Sequence, residues 1–213
     1  MKKYSFYFLL AFAVIGIDQA IKLLVHFNMD MGANGQIKVF GNWFKIHYIL
    51  NPGMAFGLDP KDFLGGWGKL ILTAFRIVAT ILITLYIKYL VDNQKHKGLI
   101  ICMTLILAGA LGNVLDSTFY GIFLKDNVIA GSPFALFHGQ VVDMIYVDIW
   151  EGELPKWLPL IGGKYYSFWP IFNIADSSIF VGVMVILFRN EAFFRKTIVA
   201  SEPTHENLSA ETI

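Results

Sequence analysis

Charge is what this chain has least of: 15% of its 213 residues are Asp, Glu, Lys or Arg, where a soluble domain carries about 25%. It also has a single cysteine, Cys102, which excludes an intrachain disulfide framework. Cys102 lies inside an apolar run and is expected simply to pack there. The five histidines, His26, His47, His96, His138 and His205, are scattered and form no His-Glu-x-x-His spacing, which argues against a zinc-dependent hydrolase. Internal repeats and low-complexity tracts are lacking before a polar tail at 191–213, which is expected to be disordered. A net charge of +1 carries no information about partners, and no nucleic-acid partner is expected.

What is abundant is apolar side chain, 56% of the sequence, and it is concentrated in blocks. Residues 4–24, 70–90, 98–115 and 168–188 each approach the ~20 residues that cross a bilayer as a helix. Four crossings predict an all-α membrane protein, a single bundle domain over residues 1–190 with no room for a separate soluble module. Lys2 and Lys3 precede the first block, Lys88, Lys95 and Lys97 flank the short connection after the second, and Arg189, Arg195 and Lys196 follow the fourth. The positive-inside rule puts these segments, and both termini, in the cytoplasm. The two long connections, 25–69 and 117–167, then face outward. Asp18 stands where a signal-peptide cleavage site wants small residues, so the first block is expected to be a retained anchor.

In the first outer connection, Gln36-Ile37-Lys38-Val39-Phe40 and Asn42 to Ile49 alternate with the period of strands. A small sheet on the outer membrane surface is predicted, within an outer segment of about 36–58. It ends at the turn Asn51-Pro52-Gly53, followed by Met54-Ala55-Phe56-Gly57, small and apolar enough to face a lipidic groove. In the second, Gln140 to Val147 is apolar and β-branched around one acid, Asp143. Trp150, Trp157, Tyr165, Tyr166 and Trp169 then suggest a segment at headgroup level, expected to lie over the groove as a mobile cover.

Ionisable residues inside spans cost roughly 2.5–3.5 kcal/mol each at the centre and are functional candidates by default. Here they are Asp18, Lys22, Arg76, Asp116 and Asp176, all in the outer halves of their helices by this topology. Asp18 and Lys22 are spaced for an i,i+4 ion pair, although a role in positioning substrate is equally open for them and for Arg76. Asn113-Val114-Leu115-Asp116 and Asn173-Ile174-Ala175-Asp176 share the pattern Asn-x-x-Asp, which sets an amide beside a carboxyl on one helix face. One such pattern is an ordinary interhelical contact; two of them with Asp143 nearby suggest a carboxyl pair. Two carboxyls held together share a proton, so that one activates water while the other polarises a peptide carbonyl. Ser177 and Ser178 lie beside Asp176, but no lysine or histidine sits at a matching depth, so a serine hydrolase is unsupported. A four-helix transporter that uses Asp116 and Asp176 is the alternative from another class. Apolar inner halves and the lack of inverted repeats count against it.

Five blocks together resemble lipoprotein signal peptidase, or signal peptidase II. They are Asp18-Gln19-Ala20-Ile21-Lys22, Asn51-Pro52-Gly53-Met54-Ala55-Phe56-Gly57, Gly109 to Asp116, Val141-Val142-Asp143 and Phe172 to Ser177, in family order across most of residues 5–190. The resemblance implies a four-transmembrane-helix bundle with a small extracytoplasmic β-cradle in the bacterial cytoplasmic (inner) membrane. It implies cofactor-free, metal-free removal of signal peptides from diacylglyceryl prolipoproteins by cleavage before the lipidated cysteine. The family's catalytic dyad falls on Asp143 and Asp176, while Asn51, Gly53, Asn113, Asp116 and Asn173 match positions that shape the site or bind substrate. Implied partners are prolipoproteins, membrane lipids and globomycin-type inhibitors, and the chain is expected to act as a monomer. Two departures stand out. Ser117 replaces the arginine that usually follows the Asp at 116, and the loop between Asp116 and Asp176 is longer than the family norm. Asp116 therefore rivals Asp143 as the second dyad member. If Asp116 is ionised it needs a cation from elsewhere; Lys22 and Arg76 are available, and Arg76, with its planar fork, is the favoured partner.

Overall fold

A computed structural model describes residues 2–53, 65–153, 155–157, 162–163, 165–167 and 170–194. Four apolar helices dominate it: α1 Lys2–Asn28, α2 Gly68–Asp92, α3 Lys97–Leu115 and α4 Ile174–Phe188, with a short α5 at Asn190–Phe194. The segments Lys3–Asn28, Gly68–Asp92 and Lys97–Phe123 are long and apolar enough to cross a membrane. Their outward-facing residues, such as Phe8, Leu9, Phe12, Phe75 and Leu82, are large, apolar and exposed, an arrangement suited to lipid and costly in water.

α3 is the central helix and packs against α1, α2 and α4. Small residues permit this close approach. A Cβ on Gly109 would stand 2.2 Å from the Ala175 carbonyl oxygen, and one on Gly112 would stand 2.7 Å from Asp18 Oδ2. Cys102, on the same helix, is buried and free, as expected of a packing residue.

α4 corrects the expected boundary of the fourth apolar block. It begins at Ile174 rather than 168, because Phe172 is still extended and exchanges backbone hydrogen bonds with Ile145 at 3.0 and 2.7 Å. Residues 168 and 169 lie outside the described residues. With 15 residues, α4 rises about 22 Å, less than the other three helices. α3 differs at its far end: beyond Leu115 it continues through a π-turn, Asp116–Tyr120, and a last turn, Gly121–Phe123. Insertions of this kind are frequent at functional sites.

One end of the bundle carries a three-stranded antiparallel sheet, β1 Ile37–Phe40, β2 Phe44–Asn51 and β3 Val141–Val147, in the order β1-β2-β3. The two alternating segments therefore pair in a small sheet as expected, here as an antiparallel hairpin, although 54–58 of the expected cradle lie outside the described residues. The third strand comes from the long loop some 90 residues later, with Asn51 opposite Val141 and Ile49 opposite Asp143. Val142 and Met144 bury against Val25 of α1, Tyr48 of β2, and Tyr120 and Leu124 beyond α3. A second hairpin follows, pairing β4 Glu151–Glu153 with β5 Tyr165–Ser167. Trp150 and Trp157 are exposed there, while Trp169 lies outside the described residues. The opposite end of the bundle is tied by Lys3, Tyr4 and Lys88 on Asp92.

Candidate active site

The first turn of α4 is a capping box. Asn173 Oδ1 accepts from the Asp176 backbone N–H at 2.9 Å, and Asp176 Oδ2 accepts from the Asn173 N–H at 3.3 Å. This fixes the Asn173 side chain with its amide free to donate outward. Asn173 Nδ2 donates to Asp143 Oδ1 at 2.6 Å and to Asn113 Oδ1 at 3.2 Å, and Asn113 Nδ2 donates to Asp176 Oδ1 at 2.8 Å. The two Asn-x-x-Asp patterns thus meet face to face, and β3 places Asp143 between them and the turn after β2. In that turn, Gly53 N–H donates to Asn51 Oδ1 at 2.7 Å, which orients Asn51 Nδ2 onto Asp143 Oδ2 at 2.7 Å.

Asp143 is fully buried, and among the described residues its oxygens are held by the neutral amides of Asn51 and Asn173. Burial pushes its pKa up to about 7 and the charge of Asp176 pushes the same way, against the hydrogen bonds from Asn51 and Asn173 and the more distant Lys22. The carboxyl therefore carries a proton at pH values where an ordinary aspartate has lost it.

A second buried assembly lies behind this one, between α1 and α3. Lys22 stands between Asp18 Oδ2 at 2.8 Å and Asp116 Oδ2 at 2.6 Å, and its third donor reaches Asn113 Oδ1 at 3.1 Å. Gln19 Nε2 donates to Asp116 Oδ1 at 2.8 Å, and Gln19 Oε1 accepts from Tyr120 OH at 2.9 Å. Asp18 Oδ1 accepts from the Ala175 N–H at 2.8 Å, so α1 also braces the first turn of α4. The expected i,i+4 pair is present, enlarged by a second carboxylate.

The favoured Arg76–Asp116 pair is not formed. Lys22 and Gln19 occupy both oxygens of Asp116 from the α1 side. Arg76 lies on the other side of α3, with Nη1 donating to Ser117 Oγ at 3.0 Å and Nη2 to the Gly53 carbonyl at 2.6 Å. Lys69, which the sequence pattern did not single out, joins it there, donating to Ser117 Oγ at 3.2 Å and the Pro52 carbonyl at 2.9 Å. Its place at the foot of an apolar helix reads as an interface lysine. Only its i,i+4,i+7 spacing with Thr73 and Arg76 hinted at a buried polar face.

One network thus brings together all ten candidates, Asp143, Asp176, Asn51, Gly53, Asn113, Asp116, Asn173, Asp18, Lys22 and Arg76. Among the described residues no group of three or more His, Cys, Asp or Glu side chains converges as metal ligands would.

A family model described as signal peptidase (SPase) II matches residues 10–191. The chain is 45% identical over 204 residues to a lipoprotein signal peptidase of Amoebophilus asiaticus, covering 95% of this chain and 84% of that one. It is 40% identical over 181 residues to a lipoprotein signal peptidase of Porphyromonas gingivalis, covering 80% and 76%. A solved bacterial membrane enzyme, determined by the in meso method, superposes with a TM-score of 0.57 at 26% identity, over 91% of this chain and 95% of that chain.

Proposed function

This chain belongs to the signal peptidase II family, and on that premise we propose that it is an aspartic endopeptidase whose catalytic pair is Asp143 and Asp176. The observation that carries the assignment is Asn173, which donates to Asp143 while capping the helix turn that holds Asp176. The two carboxyls share one proton, and buried Asp143 holds it at the start of the cycle. Asp176, at the positive end of α4, takes a proton from the attacking water. Protonated Asp143 polarises the scissile carbonyl, and the proton passes to the leaving nitrogen as the bond breaks. The ion pair of Asp116 with Lys22 supports leaving Asp116 outside this pair.

The substrate in this reading is a diacylglyceryl prolipoprotein, cut before the lipidated cysteine, and globomycin-type compounds inhibit. Residues 1–190 form one membrane domain with four crossings, α4 being the short fourth. Both termini are cytoplasmic, and the sheet and active site lie at the outer surface of the bacterial inner membrane. The lysine and arginine distribution supports this orientation; labelling from outside of a cysteine placed at Lys95 would overturn it. The function itself is tested by incubating the purified protein with a synthetic lipidated prolipoprotein. Cleavage just before the modified cysteine, blocked by globomycin, is expected; an uncut lipidated substrate refutes the reading.

A further inference from the structure

α2 is apolar except on one face, where Lys69, Thr73 and Arg76 follow one another at i, i+4 and i+7. Lys69 and Thr73 are wholly buried. A buried cation costs several kcal/mol unless hydrogen bonds and counter-charges compensate it, so a buried lysine and a half-buried arginine on one face of a lipid-facing helix call for an explanation. Both reach the same places. Each donates to Ser117 Oγ, at 3.2 Å from Lys69 and 3.0 Å from Arg76. Each also donates to a carbonyl of one turn, Lys69 to Pro52 at 2.9 Å and Arg76 to Gly53 at 2.6 Å. Thr73, between them, donates to the Phe137 carbonyl at 3.0 Å and ties the same face to the loop beyond α3.

That turn is the one that aims Asn51 at Asp143. Gly53 sits at φ +108°, and a Cβ there would meet Lys69 Nζ and Arg76 Nη1 at 3.1 Å. The glycine therefore supplies both the left-handed backbone and the space for two cations to close on it. We propose that Lys69 and Arg76 are positioning residues, which grip the Asn51-Pro52-Gly53 turn by its carbonyls, anchor it to Ser117, and so hold Asn51 on Asp143. They also set positive charge beside the carboxyl pair: Arg76 is close enough to feel Asp176, Asp116 and Asp143. Among the described residues, Lys22 and Asp18 of α1 also carry charge near this place; Lys22 is bound to both Asp116 and Asp18.

This inference rests on the peptidase reading, and its test keeps the two apart. Purified full-length protein in detergent is assayed on lipidated prolipoprotein for kcat, KM and the pH profile, with thermal unfolding as the check on folding. Lys69→Met is expected to lower kcat about 10- to 100-fold, as a misplacement near 1 Å does, with KM within about threefold. It is also expected to move the whole pH profile upward, because a lost positive charge disfavours carboxylate. Arg76→Lys keeps the charge but not the two-pronged grip, so kcat falls while the profile stays in place. Lys69→Arg restores most of the rate. If Lys69→Met does not fold, Arg76→Lys and Lys69→Arg decide: full kcat in Arg76→Lys overturns the proposal. So does a folded Lys69→Met with an unmoved profile, or one whose loss lies wholly in KM. Absence of cleavage by the unaltered chain sinks the peptidase reading itself, whereas normal cleavage by folded Lys69→Met sinks only the positioning role.

Discussion

Asp116 and Asp143 are both completely buried aspartates near the sheet end of the bundle, yet their surroundings differ in one respect. Asp116 faces an ammonium, Lys22, at 2.6 Å. Asp143 faces the amides of Asn51 and Asn173, and the charge that acts on it most strongly belongs to another acid, Asp176. A carboxylate whose oxygens are held by a cation and an amide across two helices serves as structure. A carboxyl that faces neutral donors and a like charge can gain and lose a proton, which acid–base chemistry requires. Under the proposed assignment, a brace, Asp18-Lys22-Asp116, stands apart from a reactive pair, Asp143 and Asp176, although the two are linked through Asn113.

The largest effect that would break this comparison is on catalysis. Asp143→Asn and Asp176→Asn should each lower kcat by more than about 10³-fold, since each removes an acid–base group and misaligns its partner. Both variants should remain folded and still bind lipidated precursor in a pull-down. A kcat for Asp143→Asn within about 10-fold of the unaltered protein would remove Asp143 from the pair.

The brace should fail in a different currency. Lys22→Met leaves two buried carboxylates without their cation and should destabilise the protein by about 3–5 kcal/mol, read from unfolding in detergent. A stability loss under about 1 kcal/mol would mean that Asp18 and Asp116 are not both ionised.

Proton traffic at Asp143 sharpens the contrast through pH. Its folded pKa, about 7, lies above the ~3.9 of an unfolded aspartate. The folded chain therefore binds the extra proton between about pH 4 and 7, and this contribution to stability declines as pH rises through that window. The same deprotonation removes the acid, so kcat/KM should fall above about pH 7. Asn51→Ala deletes a donor that favours the carboxylate, and should shift this alkaline limb upward while lowering the rate about 10-fold. A limb that stays put in Asn51→Ala would uncouple Asn51 from Asp143.

The smallest expected effect concerns a pair the structure does not form. Arg76→Ala and Asp116→Ala should be additive on stability within about 0.5 kcal/mol, whereas Lys22 and Asp116 should couple strongly. Coupling of Arg76 to Asp116 above about 1 kcal/mol would restore the pairing favoured from sequence.

The difference between the two assemblies was only half legible in the sequence. Apolar runs gave the helices, period-two alternation gave β1 and β2, and the repeated Asn-x-x-Asp marked both helix ends, because each of these patterns is local. Asp143 was visible as a lone acid in an apolar strand. Its pairing with β2 was not, since a register between residues 49 and 143 leaves no local trace. The late start of α4 came from Phe172 pairing with Ile145, again a distant partner. The partner of Asp116 is not legible in the sequence for a similar reason. Helical spacing shows which depth a cation occupies but not on which side of α3 it lies, and Lys22 and Arg76 lie on opposite sides. Lys69 went unnoticed because a lysine at a helix end commonly snorkels to the interface, whereas here it turns inward.

The central claim, that a cation-locked acid braces while an amide-held acid reacts, is tested most directly by neutralising the whole brace at once. A chain carrying Asp18→Asn, Lys22→Met and Asp116→Asn leaves no unpaired buried charge, and its cleavage of lipidated prolipoprotein is measured beside Asp143→Asn below the unfolding temperature of both. Turnover within about 100-fold of the unaltered protein, with none detectable for Asp143→Asn, is the predicted result. A neutralised brace as inactive as Asp143→Asn, in a chain that remains folded, would contradict it.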